Sequence, residues 1–492
     1  MPVNSEKIAI VLLTCAFPLI LVVPITICTI FLPIWLLILA LAKVFHPELE
    51  YVSNGFEAGL SHEKSLEPNV FNIASYHVLD GYLSLHIIRQ MALENVFSLK
   101  KDNGQLLFRR LKSTITFFLG YSFWKVNKTF DISDHIRGCD SGSINMKLPN
   151  PCFEVDLSDV MRNLVVLPWK KAMPRWEILV LHIDRSSSNS RPQTVLLGRW
   201  HHSIMDGYSY LHLLETIFQE QFDFPTATPS NSPRPTFREY FQKLLPILRI
   251  PIDLAESICD GFNIHNRFLP KERNSRKSYY ACISEPIDDA VVHKIRKKYD
   301  VGYGTVVVAI CSGALKRVYD LEAQPFLDTI PSQVVFPVVG HPKVVANHFD
   351  FRPVRLPLKS KSSVNRLLET EAQIKRAKRR FLLSPIILFH AIIMPAFLSD
   401  ILINCGVLAR SSFVISVFVA QKSFSLGGCK VLDSAAMFTH TRCLVGGTCL
   451  CHGTPSRMRM SLMINKQLIS SEEAVLKFSQ FVREEADALL ET

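Results

Sequence analysis

From Ile8 to Ala42 the chain carries no charged residue: IAIVLLTCAFPLILVVPITICTIFLPIWLLILALA. No other feature constrains the fold as strongly, because an apolar run of this length is too costly to leave in water. As a helix rising about 1.5 Å per residue it would reach roughly 50 Å, against a hydrocarbon core of about 30 Å. A secretory signal peptide has a shorter apolar core and a small-residue cleavage site, so that reading is set aside. Pro18, Pro24 and Pro33 interrupt the run and are expected to kink or break a helix. Two arrangements follow: one kinked, tilted transmembrane span, or a hairpin that enters and leaves by the same face. The flanking charges, Glu6 and Lys7 before and Lys43 after, barely orient it. A membrane anchor is expected over 1–50. A second apolar stretch, 381–399 (FLLSPIILFHAIIMPAFLS), follows the basic KRAKRR. A transmembrane span is one reading; a core helix, or one lying in the membrane interface with its basic flank on anionic lipid, is favoured over it.

Behind the anchor, a chain of 492 residues is too long for one ordinary core and suits two to three domains. The net charge of +11 is spread thinly, and neither zinc-finger spacing nor a basic zipper is present, so nucleic acid is not an expected partner. Twelve cysteines are too sparse for a disulfide scaffold. The nearest cluster, Cys443, Cys449, Cys451 and His452, fits no paired zinc template. No metal is expected, and the thiols read as reduced and cytosol-facing.

The rest of the chain alternates strands and helices. EILVLHID (177–184) and TVLLGRW (194–200) read as a hairpin of buried strands around the polar loop RSSSNSRPQ. GYSYLHLLETIF follows Asp206 with Tyr210, Leu213, Leu214 and Ile217 at helical spacing. FPTATPSNSPRPTF has no apolar period and reads as a linker. A second series begins near Tyr279, with helices over 290–299 and 305–319. Met458, Met460, Leu462 and Ile464 alternate with polar residues as one face of a strand. Ser470, Ser471, Glu472 and Glu473 form a capping signature for a closing helix over 471–490. The expected division is 1–50 anchor, 51–222 first half, 223–278 crossover linker and 279–492 second half.

One constellation carries chemistry: His201-His202-Ser203-Ile204-Met205-Asp206-Gly207, between a strand and a helix. A histidine at a strand end facing a cavity can accept a proton from an alcohol near neutral pH. Asp206 can hold the loop through a charge-assisted bond to an arginine or to backbone amides. Gly207 permits a tight bend where a side chain would clash. Two adjacent histidines alone are more often a metal or surface pair; HHxxxDG in strand–turn–helix context is far more specific. Ser203 lacks a Gly-x-Ser-x-Gly elbow and is a poor nucleophile candidate.

These residues resemble the HHxxxDG acyltransferases of the chloramphenicol acetyltransferase-like fold, and within them the wax ester synthase/diacylglycerol acyltransferase group. FRRLKS, Phe123-Trp124, FDISDHIR, MPRWEILVLHID, QTVLLGRWHHSIMDGYSYLHLL and VGYGTVVVAICSGALKR match that group's segments in order. Arg175 stands where the family has leucine. Gly304 and Thr305 stand where it has an Asn-Asp pair. Near SVFVAQK its Asn-Val-Pro-Gly-Pro turn is absent, Val417 falling where its Asn would be. These departures bear on acceptor choice and rate.

The resemblance implies an α/β fold of two similar halves around a central tunnel, with the membrane segment in front. It implies an O-acyltransferase that moves a fatty acyl group from acyl-CoA, as co-substrate, to a lipid alcohol: a long-chain alcohol giving wax ester, or diacylglycerol giving triacylglycerol. His202 would be the general base, Asp206 and Gly207 would shape the loop, and His201 would pack or orient it. No permanently bound cofactor is implied. The chain would sit in the endoplasmic reticulum membrane with its catalytic part cytosolic, or at the plasma membrane or a lipid droplet. Two alternatives stay open: transfer to a sterol, small alcohol or amine, and a catalytically weak lipid-binding relative.

Overall fold

The computed structural model describes residues 3–61, 71–140, 142, 157–183, 191–222, 248–261, 279–322, 328–380, 384–406, 411–439 and 445–491. Most of the RSSSNSRPQ loop, the FPTATPSNSPRPTF linker and Cys443 lie outside the described residues. Two six-stranded sheets and one three-stranded sheet organise the chain, giving a mixed α/β fold.

The first large sheet contains β2 (Asn72–Asp80), β5 (Ile136–Gly138), β6 (Trp176–Ile183), β7 (Gln193–His201), β12 (Ser425–Leu426) and β13 (Cys429–Phe438), in the order β12-β13-β2-β7-β6-β5. The expected hairpin is its centre: β6 and β7 run antiparallel from Trp176 opposite Trp200 to Ile183 opposite Gln193. Their near-continuous apolar sequence is accounted for by burial on both faces. Although β12 and β13 come late in the chain, they complete this sheet, with Phe438 opposite Ile73 and Lys430 opposite Asp80.

The second large sheet holds β8 (Tyr279–Ile283), β9 (Thr329–Pro337), β10 (Phe349–Pro357), β11 (Phe413–Val419), β14 (Gly447–Thr454) and β15 (Arg457–Asn465), in the order β10-β9-β11-β14-β15-β8. Met458, Met460, Leu462 and Ile464 of β15 share one buried face, as their alternation requires. That face packs on the helices Asp289–Tyr299 and Tyr303–Leu321. The closing helix is two pieces, Glu472–Leu476 and Phe478–Glu491, and Ser471 Oγ accepts from Ala474 N at 3.3 Å. Between the sheets the cores merge. Val414, Phe418 and Leu450 of the second sheet pack in one cluster with Trp200, Ile204 and Leu214 from the first half.

Among the described residues one helix is long and apolar enough to cross a membrane: Phe17–Phe45, with a mean hydropathy of 2.6 over its most apolar window. It follows the helix Val3–Cys15 after a break at Ala16. Of the breaks or kinks expected at the prolines, one break falls just ahead of Pro18. Pro18 sits in the first turn, where its missing N–H costs nothing, while Pro24 and Pro33 are accommodated inside the helix. The second apolar stretch is an elbow of two short helices, Ser384–Ile393 and Ala396–Gly406, turning at Pro395. The small sheet, β1 (Glu50–Tyr51), β3 (Ser113–Phe118) and β4 (Tyr121–Val126), lies beside both. There Ala396 N donates to Gly120 O at 2.8 Å, and Ile38 and Ala42 of the long helix pack on Tyr121 and Phe123.

Candidate active site

β7 delivers His201 and His202 to the end of the first sheet, and the chain then turns into the helix Gly207–Phe218. Asp206 caps that helix, with Oδ1 accepting from Ser209 N at 2.7 Å. Its Oδ2 accepts from His348 N, also at 2.7 Å, and His341 Nε2 lies 3.5 Å from Oδ1. The expected partner was an arginine or backbone amides; it is the amides, with a histidine added. Burial pushes the Asp206 carboxyl up, but the bonds from His341, Ser209 and His348 outweigh it and hold the group below the ordinary carboxylate range. Asp206 N donates to Ala346 O at 3.1 Å, and Ser209 Oγ donates to the same carbonyl at 2.6 Å. The loop between β9 and β10 is thus strapped onto the HHxxxDG turn.

That strap brings Asn347 to His202. The Asn347 side-chain amide donates through Nδ2 to His202 O at 2.8 Å and lies 3.4 Å from Glu57 Oε1. This network assigns its Oδ1 as the acceptor, and Oδ1 sits 2.7 Å from His202 Nδ1. His202 Nδ1 must then carry the hydrogen, which leaves the lone pair of the neutral ring on Nε2. The main chain is held as well, His202 N donating to Phe71 O at 2.8 Å. Phe56 and Phe349 flank the half-buried ring at centroid distances of 5.2 and 5.1 Å. Burial lowers the His202 pKa, and the Asp206 charge and the Asn347 bond only partly offset it. The ring therefore favours its neutral form, the form a base needs.

A further layer lies behind Asn347. Asn54 Nδ2 donates to Asn347 O at 2.8 Å. Glu57, wholly buried in the helix Gly55–Ser61, pairs with Arg110 Nη1 at 2.8 Å. Burial raises the Glu57 carboxyl to about 7, and Arg110 opposes that rise. Arg110 also donates to Val345 O at 3.2 Å, so one guanidinium ties the first half to the β9–β10 loop.

The other expected residues fall as follows. His201 is buried, with Nδ1 2.7 Å from Ser203 Oγ and its N–H donating to Arg175 O at 2.9 Å. Gly207 adopts no left-handed backbone; its constraint is space, since a Cβ there would lie 3.2 Å from Phe418 Cζ. Phe418 belongs to β11, next to Val417, so the segment lacking the family's turn lies against the HHxxxDG helix. Thr305 is buried in the second core and bonded to Glu371. Cys449, Cys451 and His452 lie in β14, where His452 Nδ1 is 2.9 Å from Phe418 O. Among the described residues no group of three or more His, Cys, Asp or Glu could hold a metal ion. Asn347, Glu57, Arg110 and His341 were not expected. The polar cluster His341, Asn347 and His348 just before β10 is a sequence signal for two of them, and Arg110 lies in the FRRLKS segment.

The chain is similar to known proteins in sequence and in fold. The wax ester synthase/diacylglycerol acyltransferase catalytic domain model matches residues 90–263. Two Mycobacterium tuberculosis proteins provisionally named diacylglycerol O-acyltransferase, from strains CDC 1551 and H37Rv, are each 22% identical over 240 residues. That stretch covers 44% of this chain and spans 45% of each relative's length. The wax ester synthase/diacylglycerol acyltransferase of Marinobacter aquaeolei VT8 superposes with a TM-score of 0.54 at 15% identity, covering 87% of this chain and 96% of that one. The first condensation domain of the calcium-dependent antibiotic synthetase gives 0.57 at 13% identity, covering 90% and 96%. The starter condensation domain of rhizomide synthetase, in complex with C8-CoA and Leu-SNAC, gives 0.55 at 11%, covering 91% and 96%. Over residues 90–263 the sequence is similar to the wax ester synthase/diacylglycerol acyltransferase catalytic domain, and over most of its length the chain shares the fold of the Marinobacter enzyme.

Proposed function

We propose that the protein is a membrane-attached O-acyltransferase that moves a fatty acyl group from acyl-CoA to a lipid alcohol, either a long-chain alcohol or diacylglycerol. The observation that carries this is the His202–Asn347 bond, which leaves Nε2 as the basic nitrogen of a neutral imidazole. His202 Nε2 takes the proton of the acceptor hydroxyl as that oxygen attacks the thioester carbonyl. The tetrahedral adduct then expels the CoA sulfur, which collects the proton from His202 as the ester forms. No acyl-enzyme is required. Asp206 keeps the turn in place, Gly207 leaves room for Phe418, and His201 orients the loop from within the core.

The two sheets with merged cores support a two-half acyltransferase, divided at about 51–222 and 279–492 with β12 and β13 of the second half crossing over to complete the first sheet, whose reacting groups meet where the halves join. The apolar helices before residue 46 support attachment to a membrane, with the endoplasmic reticulum and a cytosolic catalytic part as the reading that suits reduced thiols. The testing experiment incubates the full chain in detergent with labelled acyl-CoA and a panel of alcohols, diacylglycerol, a sterol and an amine. Ester from the long-chain alcohol or diacylglycerol is expected. Transfer confined to the sterol or amine, or acyl-CoA binding without transfer to anything, contradicts the proposal.

A further inference from the structure

The apolar N-terminal helices do not stand away from the body as a spanning anchor does. Val3–Cys15 packs on the helix Ile250–Gly261. Phe17–Phe45 is met near its middle by the elbow, where His390 Nε2 lies 3.1 Å from Pro24 O and 3.4 Å from Cys28 Sγ. Its end is held by the small sheet, through Trp35, Ile38, Leu39 and Ala42. Start, middle and end are thus tied to one body.

These contacts conflict with a crossing. A perpendicular span over 17–34 would separate its ends by roughly 27 Å, nearly the full hydrocarbon thickness. The helix Ile250–Gly261 would then lie on the far side of the bilayer from the small sheet. Yet Glu256 of that helix is paired with Arg376 and Arg380 of the body. Carrying these ions through hydrocarbon to make the contact is prohibitive.

The surface itself suggests the alternative. Leu12, Leu19, Val22 and Ile25 of the N-terminal helices are 55–74% exposed. Ile386, Phe389 and Ile401 of the elbow, and Leu119 at the β3–β4 tip docked on it, are 41–61% exposed. His390, the one titratable side chain in the elbow's first helix, is turned inward and bonded. Arg249, at the head of the helix Ile250–Gly261, and Lys375, Arg376 and Arg379, just before the elbow, line a cavity of about 310 Å³; the first three are ion-paired with Asp253, Glu371 and Glu256, and basic side chains beside an apolar face suit anionic headgroups.

We infer that the N-terminal helices and the 384–406 elbow form one monotopic face, lying in the plane of a single leaflet with the whole body on one side. The face leads inward. A Cβ at Gly55 would run into the Leu388 carbonyl, so the Gly55–Ser61 helix is pressed against the elbow. Phe56, the next residue, touches the His202 ring and shares a cluster with Leu60, Phe71, Leu388 and Ala391. If the acyl transfer proposed above is correct, a lipid acceptor reaches His202 from the leaflet along this apolar seam.

The test uses the full chain in vesicles of phosphatidylcholine and phosphatidylserine, with lipids brominated near the carbonyl or near the chain end. Leu12→Trp, Val22→Trp, Ile34→Trp and Phe389→Trp are each compared with the parent for added quenching. All four should be quenched best by the shallow bromines, at the depth of an interfacial helix. A depth that changes steadily from residue 12 to residue 34 would mean a span or a hairpin and overturn the inference. So would an absence of added quenching together with a dimer in detergent, which would mean that a second copy covers the face. Separately, the Ile386→Ser/Phe389→Ser/Ile401→Ser variant should lose at least tenfold in transfer to bilayer-borne diacylglycerol relative to a soluble short alcohol. Equal loss on both acceptors counts against the seam. A wild-type chain that esterifies nothing refutes the functional reading and leaves the depth profile to be judged by itself.

Discussion

His202 Nδ1 lies 2.7 Å from Asn347 Oδ1, although the two residues sit against different sheets, one just after β7 and the other in the loop just before β10. The bond fixes which ring nitrogen is basic, so the HHxxxDG motif is completed only when the two halves meet. Asn347→Ala should lower the rate roughly 10–100-fold, the scale seen when a bond that orients a histidine is lost, with little change in acyl-CoA affinity. Asn347→Asp places a carboxylate on Nδ1–H and should move the acid limb of the rate profile upward.

The wild-type acid limb is the companion measurement. Burial lowers the His202 pKa, so activity should persist below the ordinary histidine value of about 6.5 before it falls. The same group binds protons more weakly folded than unfolded, and its contribution to stability is therefore lost as pH falls. An acid limb centred above about 6.5 would contradict the assignment of His202 as the titrating base.

Glu57 titrates in the opposite sense. Its carboxyl is raised to about 7 by burial, so its stabilising contribution is full at acid pH and lost as pH rises through that value. Arg110→Ala removes the opposing cation and should cost roughly 3 kcal/mol where Glu57 is ionised. The loss in Tm should be larger at about pH 8 than at about pH 5, because the unpaired acid can be neutral at the lower pH.

Asp206→Asn removes the charge that Ser209 N, His348 N and His341 share. The expected cost is roughly 1.5–3 kcal/mol in stability, the value of a hydrogen bond to a charged group. Activity should fall in parallel, and thermal melting with and without acyl-CoA would record both changes.

Much of this was legible in the sequence. The β6–β7 hairpin, the helix after Asp206 and the strand over 457–465 follow from apolar runs and periodicity that burial then satisfies. A kink or break was expected at each proline; the helix does break just ahead of Pro18, at Ala16, whereas Pro24 and Pro33 are carried within a long apolar helix without breaking it. Asn347 and Glu57 were not legible. Each is 145 residues from His202 in sequence, and local patterning carries no trace of a contact made by folding one sheet against another. The role of Gly207 was half legible: the need for a small residue was plain, but its cause is Phe418 rather than the backbone.

Gly207→Ala therefore tests packing. The added Cβ would sit 3.2 Å from Phe418 Cζ, a contact that requires the ring to move by a few tenths of an ångström. A several-fold drop in rate is expected, and Phe418→Leu in the same chain should restore most of it. No restoration would mean that Gly207 acts through something other than this contact.

His202→Ala, assayed with matched acyl-CoA and alcohol, tests the central claim most directly. The expected result is a loss of acyl transfer of about two orders of magnitude or more, the scale of a general-base deletion, with acyl-CoA binding nearly unchanged. Equal transfer by wild type and His202→Ala would contradict the account and leave the chain as a lipid-binding relative of the acyltransferases.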